Sequence, residues 1–161
     1  MAGNIVYPSL SWNQKFQAKT RFVVLTLFND EAVLDRETGL VWERKPSRTP
    51  GGAVDDVMWR QARENCANRI IGGRKGWRLP SLPELMSLID PSVTPPALLL
   101  PPGHPFLNVP AGYYWTATTN ADDPSTAWVV GLRLGDAVSN NKTNSAVFYW
   151  SVRGNMNADV Y

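Results

Sequence analysis

The sequence is poor in the residues that build metal sites and covalent active sites. Its 161 residues include one cysteine, Cys66, and one histidine, His104. A zinc site of the usual kind takes three or four cysteine or histidine ligands, and a nucleophilic triad would have to use His104, which lies in a proline-rich run. One cysteine cannot form an intramolecular disulfide. We therefore expect no cofactor, no metal and no catalytic residue.

The chain also lacks a charge excess and a long apolar run. Lysine and arginine number 16 and aspartate and glutamate 14, so the formal net charge is +2. That balance favours neither nucleic acid nor an anionic membrane as partner. No run approaches the ~18 apolar residues of a membrane span, and residues 1–10 lack the basic start and apolar stretch of a signal peptide. We expect no nucleic-acid binding and no membrane insertion, and the compartment stays open.

What is present divides the chain into two unlike halves. Residues 1–80 contain 13 basic and 8 acidic side chains, whereas residues 81–161 contain 3 and 6. The second half is rich in tryptophan, tyrosine, asparagine, serine and threonine instead. Aromatic and small amide side chains are the chemistry of many recognition surfaces.

Hydrophobic patterning predicts β-structure and then two helices in the first half. Residues 1–28 are predicted to form an N-terminal arm and a first strand, and 31–44 a hairpin. Asp55 or Asp56 is predicted to cap a helix that Gly72-Gly73 ends. A capping box at Ser81 and Glu84 predicts a second helix over 82–89.

The second half begins with an irregular loop and continues as β-structure. Residues 91–110 contain seven of the 13 prolines, which predicts a loop without regular structure. Strands are predicted at 113–118, 127–134 and 146–153, joined by loops at 119–125 and 136–145. The pattern is that of a single α+β domain over 1–161, with two helices, antiparallel sheets and long irregular loops.

Several motifs occur together in a recognisable order. They are LDRETGLVWER (34–44), GGRKGWRLP (72–80) followed by Glu84-Leu85, GHPF (103–106), Tyr114-Trp115 and SVRG (151–154). This set resembles the C-terminal domain of the Legionella collagen-like adhesin, a former domain of unknown function grouped with C-type-lectin-like folds, over about residues 32–154. The resemblance implies a C-type-lectin-like fold and a binding role.

The chain departs from that resemblance at two points. The family commonly has a cysteine just before Val-Arg-Gly, which resembles a disulfide partner for the helix cysteine, and here that position is Ser151. Sugar-binding C-type lectins resemble one another in Glu-Pro-Asn or Gln-Pro-Asp calcium triplets, and neither occurs here. The resemblance therefore does not imply calcium-dependent monosaccharide binding.

A second resemblance concerns the C-terminal part, about residues 112–161. Variable proteins of diversity-generating retroelements use C-type-lectin-like folds and vary near the C-terminus at adenine-rich codons that yield asparagine, tyrosine, serine, aspartate and threonine. Residues of these types crowd this end of the chain, and loops on a rigid sheet often carry binding residues. The predicted ligand-binding residues are Tyr113, Ser139, Asn140, Asn141, Asn144, Ser145, Tyr149, Ser151, Asn155, Asn157 and Tyr161.

Each of these residues also has a simpler interpretation. Asn140–Asn144 has the composition of an ordinary turn. In a strand over 146–153 alternate residues face opposite sides, so either Tyr149 and Ser151 or their neighbours must be buried. Asp122 and Asp123 are a solvated pair by default, because calcium takes six or more oxygens, and cation binding there stays open.

Three functions compete at this point. The first is a non-enzymatic recognition module, either sequence-diversified or a fixed-specificity adhesin or glycan-binding domain, with a protein or glycan ligand on a cell or virion surface. The second is an enzyme of the formylglycine-generating type, disfavoured because that chemistry needs a pair of cysteines. The third is an oligomerisation module, a homo-trimer, joined through an exposed leucine run in the loop 95–110. We favour the first.

Overall fold

The computed structural model describes residues 16–47 and 56–156, which form two antiparallel sheets with short helices. The helices are α1 (Ala18–Arg21), α2 (Trp59–Asn68) and α3 (Leu82–Met86), with a 3₁₀ turn at Thr26–Phe28. The strands are β1 (Phe22–Val24), β2 (Ala32–Asp35), β3 (Val41–Glu43), β4 (Tyr113–Thr119), β5 (Thr126–Gly131), β6 (Ala137–Asn141) and β7 (Val152–Arg153). The α+β prediction is confirmed. Predictions for residues 1–15, Asp55, Asn157 and Tyr161 lie outside the described residues.

The first sheet contains the predicted hairpin. Its strand order is β1-β2-β3-β7, with Phe22 opposite Asp35 and Val33 opposite Trp42. The first strand is shorter than its apolar run, because a 3₁₀ turn at Thr26–Phe28 interrupts that run. Asn29 (φ +52°) and Asp30 (φ +59°) follow in the left-handed region and reverse the direction of the chain.

A buried ion pair fixes this hairpin against the rest of the molecule. The Arg21 guanidinium donates to both Asp35 carboxylate oxygens at 2.9 and 2.8 Å and to the Ser87 carbonyl oxygen at 2.8 Å. The side chains of Arg21 and Asp35 are both 0% exposed. Since Ser87 directly follows α3, one guanidinium connects the start of β1, the end of β2 and the end of α3.

Both predicted helices exist, with different limits. The prediction that Asp56 caps the first helix is wrong: α2 begins at Trp59, and the Met58 N–H donates to Gln61 Oε1 at 3.2 Å. The segment before it stays extended because the Val57 N–H donates to the Val147 carbonyl at 2.9 Å. The capping box of α3 is confirmed, since the Ser81 N–H donates to Glu84 Oε2 at 2.8 Å and the Glu84 N–H donates to Ser81 Oγ at 3.4 Å.

The strand predicted at 146–153 is wrong in most of its length. Only Val152–Arg153 forms β7, paired with β3. The preceding residues are bonded to several partners in turn: Val147 to Val57, Phe148 to Tyr113 and Trp115, and Ser151 to Glu43. This segment crosses from one sheet to the other, so no single neighbour extends it into a regular strand.

The loop predicted at 136–145 contains an edge strand. The second sheet has the order β4-β5-β6, and β6 pairs with β5 with Trp128 opposite Ser139. Small polar side chains at 139–141 concealed the strand from the hydrophobic pattern, because nothing large is buried there.

The second sheet separates two apolar clusters. Val129 packs with Trp115, Tyr149 and the buried face of α2, whereas the next residue, Val130, packs with Leu85 of α3 and with Trp150. Neighbouring strand residues point to opposite faces, so α2 and α3 cover opposite sides of the sheet. Large aromatic side chains dominate both clusters.

The proline-rich loop covers a core edge rather than exposing leucines. Leu99 is 6% and Leu100 2% exposed, and both pack in the cluster that contains Trp150. The Leu99 N–H donates to the Leu132 carbonyl at 2.7 Å. The expected exposed leucine run is therefore wrong, and with it the surface assigned to a trimer contact. Among the described helices, none is long and apolar enough to cross a membrane.

We predict that Glu84 makes folding stability acid-sensitive. Burial alone would raise the pKa of Glu84, but hydrogen bonds from Arg78 and Ser81 outweigh it and hold the pKa below the ordinary 4.5. The unfolded chain then binds more protons, so this stabilisation is present above about pH 4.5 and is lost as the pH falls below it. Glu84→Gln should lower the free energy of unfolding by about 1 kcal/mol at pH 7, a figure reduced by solvent at Arg78.

Urea unfolding at pH 7 and pH 3 tests this prediction. The difference between the wild-type chain and Glu84→Gln should shrink at pH 3. Glu64→Gln is the matched control, because Glu64 pairs with Arg60 at the surface, where the side chains are 55% and 88% exposed. Equal losses for the two variants, or an undiminished Glu84→Gln loss at pH 3, would contradict the prediction.

A second prediction concerns the thiol. Cys66 is buried and free, and the Ser151 hydroxyl donates to its sulfur at 3.3 Å. Ser151→Cys should therefore form a disulfide, closing a loop of 85 residues and raising the free energy of unfolding by about 4 kcal/mol. Because burial raises the pKa of Cys66 to about 12, the bond should form during oxidative refolding and not in the folded chain.

Thiol titration in denaturant, before and after refolding with oxidised glutathione, measures this bond. Ser151→Ala is the control and should keep one free thiol throughout. Two free thiols in refolded Ser151→Cys would show that the two β-carbons are not oriented for a bridge.

Candidate functional site

Five of the predicted ligand-binding residues meet at one end of the second sheet. Ser139 and Asn140 lie in β6, Asn141 ends it, and Asn144 and Ser145 lie in the turn that follows. We call residues 139–145 the β6 rim. Asn141, Asn144 and Ser145 are exposed and the two strand residues are half-buried. The structure thus brings together the asparagine-rich part of the prediction.

Asparagine side chains build the turn of this rim. Asn141 Oδ1 accepts from the Thr143 N–H at 3.0 Å and from the Thr143 hydroxyl at 2.8 Å. Asn144 Oδ1 accepts from the Ala146 N–H at 2.9 Å, and Asn144 Nδ2 donates to Asn140 Oδ1 at 3.1 Å. The ordinary turn interpretation is therefore right for the amide oxygens.

The same bonds decide what the rim offers to a ligand. The amide nitrogens of Asn140 and Asn141 donate no hydrogen bond to any described residue. With the oxygens used internally, the groups of these side chains that stay available for hydrogen bonding are N–H donors. Such a rim prefers ligands that carry hydrogen-bond acceptors.

Lys142 fixes the rim to the rest of the domain. Its ammonium donates to Thr119 Oγ1 and to the Pro124 carbonyl, both at 2.9 Å, and lies 4.2 Å from the ring centroid of Trp59. Its carbonyl accepts from the Trp59 N–H at 3.1 Å. Lys142 therefore holds the β4–β5 loop, the start of α2 and the rim together.

A groove of about 470 Å³ lies between the rim and the first turns of α2. Most of its lining surface is apolar. The lining residues are Met58, Trp59, Arg60, Gln61, Glu64, Lys142 and Thr143. Arg60 and Glu64 neutralise each other at 2.9 Å, and Asp123 interacts electrostatically with Lys142. The nearby Arg63 guanidinium lies 4.8 Å from the Trp59 ring centroid and is not part of the lining. The groove is thus mostly apolar, and its charged groups are largely paired.

The α2 side of this site is not predicted by the sequence. Trp59 lies in none of the motifs, and Lys142 lies within the turn predicted at 140–144. The one available signal was that Lys142 is one of only three basic residues after position 80. Its partner lies 83 positions earlier in the chain, and no local pattern joins the two.

Tyr113 and Asn155 lie apart from the rim. The Tyr113 hydroxyl donates to Asp136 Oδ2 at 3.0 Å, and burial together with Asp136 raises the pKa of Tyr113. Asp136 precedes β6, so Tyr113 is at the opposite end of the strand from Asn141, about 16 Å away along β6 at the usual rise. Asn155 is exposed but follows β7 in the other sheet.

Tyr149 and Ser151 do not lie on the surface, which corrects their prediction as displayed residues. They are 1% and 0% exposed, and Tyr149 packs in the cluster with Trp115 and Cys66. Buried Glu43 lies beside them, hydrogen-bonded to Arg69, and burial raises the pKa of Glu43 despite that partner. Residues on both faces of the crossing segment are buried, since Trp150 on the opposite face is also 0% exposed, and so neither face is displayed.

The other chemistry-bearing residues have local partners. Asp123 Oδ1 accepts from the Ser125 hydroxyl at 2.6 Å and from its N–H at 3.0 Å, bonds that lower the pKa of Asp123. Asp122 is exposed, and within 16–47 and 56–156 no cluster of three or more histidine, cysteine, aspartate or glutamate residues could hold a metal. His104 packs beside Phe106 with ring centroids 5.6 Å apart, and burial lowers its pKa.

Comparison with known proteins agrees with the motifs. No curated protein matches the chain. The family model described as the Lcl C-terminal domain matches residues 31–153, which is most of the sequence and contains strands β2 to β7, the groove and the β6 rim. An adhesin-like module is the context that this family gives. The chain therefore belongs to the Lcl C-terminal domain family, the family of the collagen-like adhesin that its motifs resemble.

Proposed function

We propose that the chain is a non-enzymatic recognition module that binds a protein or glycan ligand at the β6 rim and the adjoining groove. The observation that carries this proposal is the rim itself: a turn built by internal asparagine bonds, in which the amide nitrogens of Asn140 and Asn141 donate to no described residue. A loop held on a rigid sheet loses little conformational entropy when it binds. Membership of an adhesin-like family supports the same role.

The groove adds the apolar part of such a site. Binding pockets combine apolar walls with a few oriented polar groups, and the groove has that composition, with Met58 and Trp59 beside Gln61 and Thr143. A C-type-lectin-like scaffold is part of the proposal, as the family resemblance implies. Binding at the rim requires neither a metal nor a second copy of the chain.

We predict that Asn141→Asp weakens ligand binding at least tenfold. The substitution keeps the oxygen that accepts from Thr143, so the turn persists, but it replaces the outward donor with a negative oxygen. Asn155→Asp is the matched control, because it makes the same change at an exposed asparagine on the other sheet and should alter affinity less than twofold. A glycan array and a displayed peptide library supply the ligands, and affinities follow by calorimetry.

Three results would count against the rim as the site. One is equal weakening by both variants, and another is no effect of Asn141→Asp on any ligand recovered. The third is an absence of binding above that of the heat-unfolded chain in both libraries. Circular dichroism on both variants separates loss of binding from loss of folding.

We also propose that the rim is diversified between related copies of the gene, as the codon preferences of retroelement variable proteins imply. A fixed-specificity adhesin is the alternative. Sequencing the gene from many clones should find substitutions at Asn140, Asn141 and Asn144 and none at the buried Tyr149 and Trp150. A rim as constant as the core would favour fixed specificity.

A further inference from the structure

The open edge of the second sheet carries a further inference, which rests on the proposed function. Two hydrogen bonds that flank β6 fix its pairing: Lys142 N–H to the Ser125 carbonyl at 3.0 Å and Gly131 N–H to the Asp136 carbonyl at 2.9 Å. In an antiparallel pair, bonded residues alternate with residues whose backbone groups point away. With the observed register, Val138 and Asn140 bond to β5, and Ser139 and Asn141 point outward.

These outward groups have no partner in the described chain. No hydrogen bond links the Ser139 N–H, the Ser139 carbonyl or the Asn141 N–H to any described residue. The Asn141 carbonyl accepts from the Asn144 N–H at 2.9 Å, which ends the open stretch. At the start of β6, Ala137 is only 2% exposed, so the open stretch of the edge does not extend to it.

The opposite edge of the same sheet, formed by β4, is closed by hydrogen bonds to other parts of the chain, unlike the β6 edge. Along β4 the Trp115 N–H donates to the Phe148 carbonyl at 2.9 Å and the Ala117 N–H to the Pro80 carbonyl at 2.7 Å. Natural sheets blunt exposed edges with proline, lysine or bulges. β6 has the sequence Ala-Val-Ser-Asn-Asn and contains none of these.

The groove lies beside this edge, on the face of the sheet that α2 covers. A strand added to β6 would extend that face. Val138 packs in the cluster that includes Trp59, so the face of β6 that carries Val138 and Asn140 is the face that α2 covers. Alternate side chains of a strand added along Ser139 and Asn141 would point toward that face. The groove lined by Met58 and Trp59 could then take one apolar side chain.

We infer that β6 binds an extended segment of a partner protein by strand addition, with the partner's backbone paired to Ser139 and Asn141 and an apolar side chain in the groove. Backbone groups at strand spacing are recognised by another extended backbone. The apolar side chain follows from the mostly apolar lining of the groove. A second copy of this chain fits less well, because the face of its β6 that would meet the groove carries Val138 and Asn140, and Val138 already packs in its own cluster.

Hydrogen exchange on the unaltered chain tests the geometry first. Ser139 and Asn141 amides should exchange fast, and Val138 and Asn140 amides slowly. Protection of Ser139 that grows with protein concentration would overturn the partner-strand proposal in favour of a second copy. Slow, concentration-independent exchange at Ser139 would show that the edge is already closed, and would overturn it too.

A phage-displayed library of linear nine-residue peptides then supplies the probe. Selected peptides should carry apolar residues at alternate positions and should slow exchange at both Ser139 and Asn141. Ser139→Pro removes the outward N–H without removing a bond to β5, and should weaken the selected peptides at least tenfold. Asn155→Ala, at an exposed asparagine that follows β7 in the other sheet, is the control and should change affinity less than twofold.

The two proposals fail in different ways. If no peptide is selected, or if Ser139→Pro binds the selected peptides as the unaltered chain does, strand addition is wrong. Should Asn141→Asp still weaken glycan binding in that case, the rim remains the recognition site. If Ser139→Pro unfolds the chain, hydrogen exchange of the Ser139 amide in the complex of the unaltered chain with a selected peptide takes its place. Strand addition requires that the peptide slows this exchange, so an unchanged exchange rate would overturn the proposal.

Discussion

The segment 147–152 has to satisfy backbone hydrogen bonds on both sheets, and the arrangement of the other elements follows from that constraint. Phe148 exchanges bonds with Tyr113 and Trp115 of the second sheet at 2.9 Å, and the Ser151 carbonyl accepts from the Glu43 N–H of the first at 2.9 Å. Because this stretch is buried, a lost partner would leave a polar group without water or protein to bond. The two sheets are therefore held by one short run of chain.

Side chains of the same segment complete that connection. Trp150 contacts Trp42 at 5.6 Å and Phe106 at 4.9 Å between ring centroids, and its Nε1 donates to the Glu43 carbonyl at 2.7 Å. On the other face Tyr149 and Val147 pack toward α2, and Val147 also accepts from the Val57 N–H. The position of α2, and with it one wall of the groove, thus depends on the crossing segment.

In the candidate site, the oxygen and the nitrogen of the same asparagine side chain have different roles. The oxygens of Asn141 and Asn144 stabilise the turn, and the nitrogens of Asn140 and Asn141 stay available. Lys142 acts similarly, since its carbonyl bonds to Trp59 and its ammonium to Thr119 and Pro124. A surface built this way can change an individual outward group while the internal bonds keep the loop in place, which suits a recognition module and an adhesin-like family.

The sequence by itself determined the hairpin, the capped second helix, the proline-rich loop, the family and the asparagine turn, because each depends on residues close together in the chain or on motifs in a fixed order. Tertiary structure decided that residues on both faces of 147–152 are buried, that 137–141 is a strand, and that Lys142 contacts Trp59. Those outcomes rest on hydrogen bonds and ring contacts between residues up to about a hundred positions apart, such as the one between Trp150 and Glu43, which no local period records. Burial of Tyr149 and Ser151, and exposure of the β6 edge, are consequences of that long-range pairing.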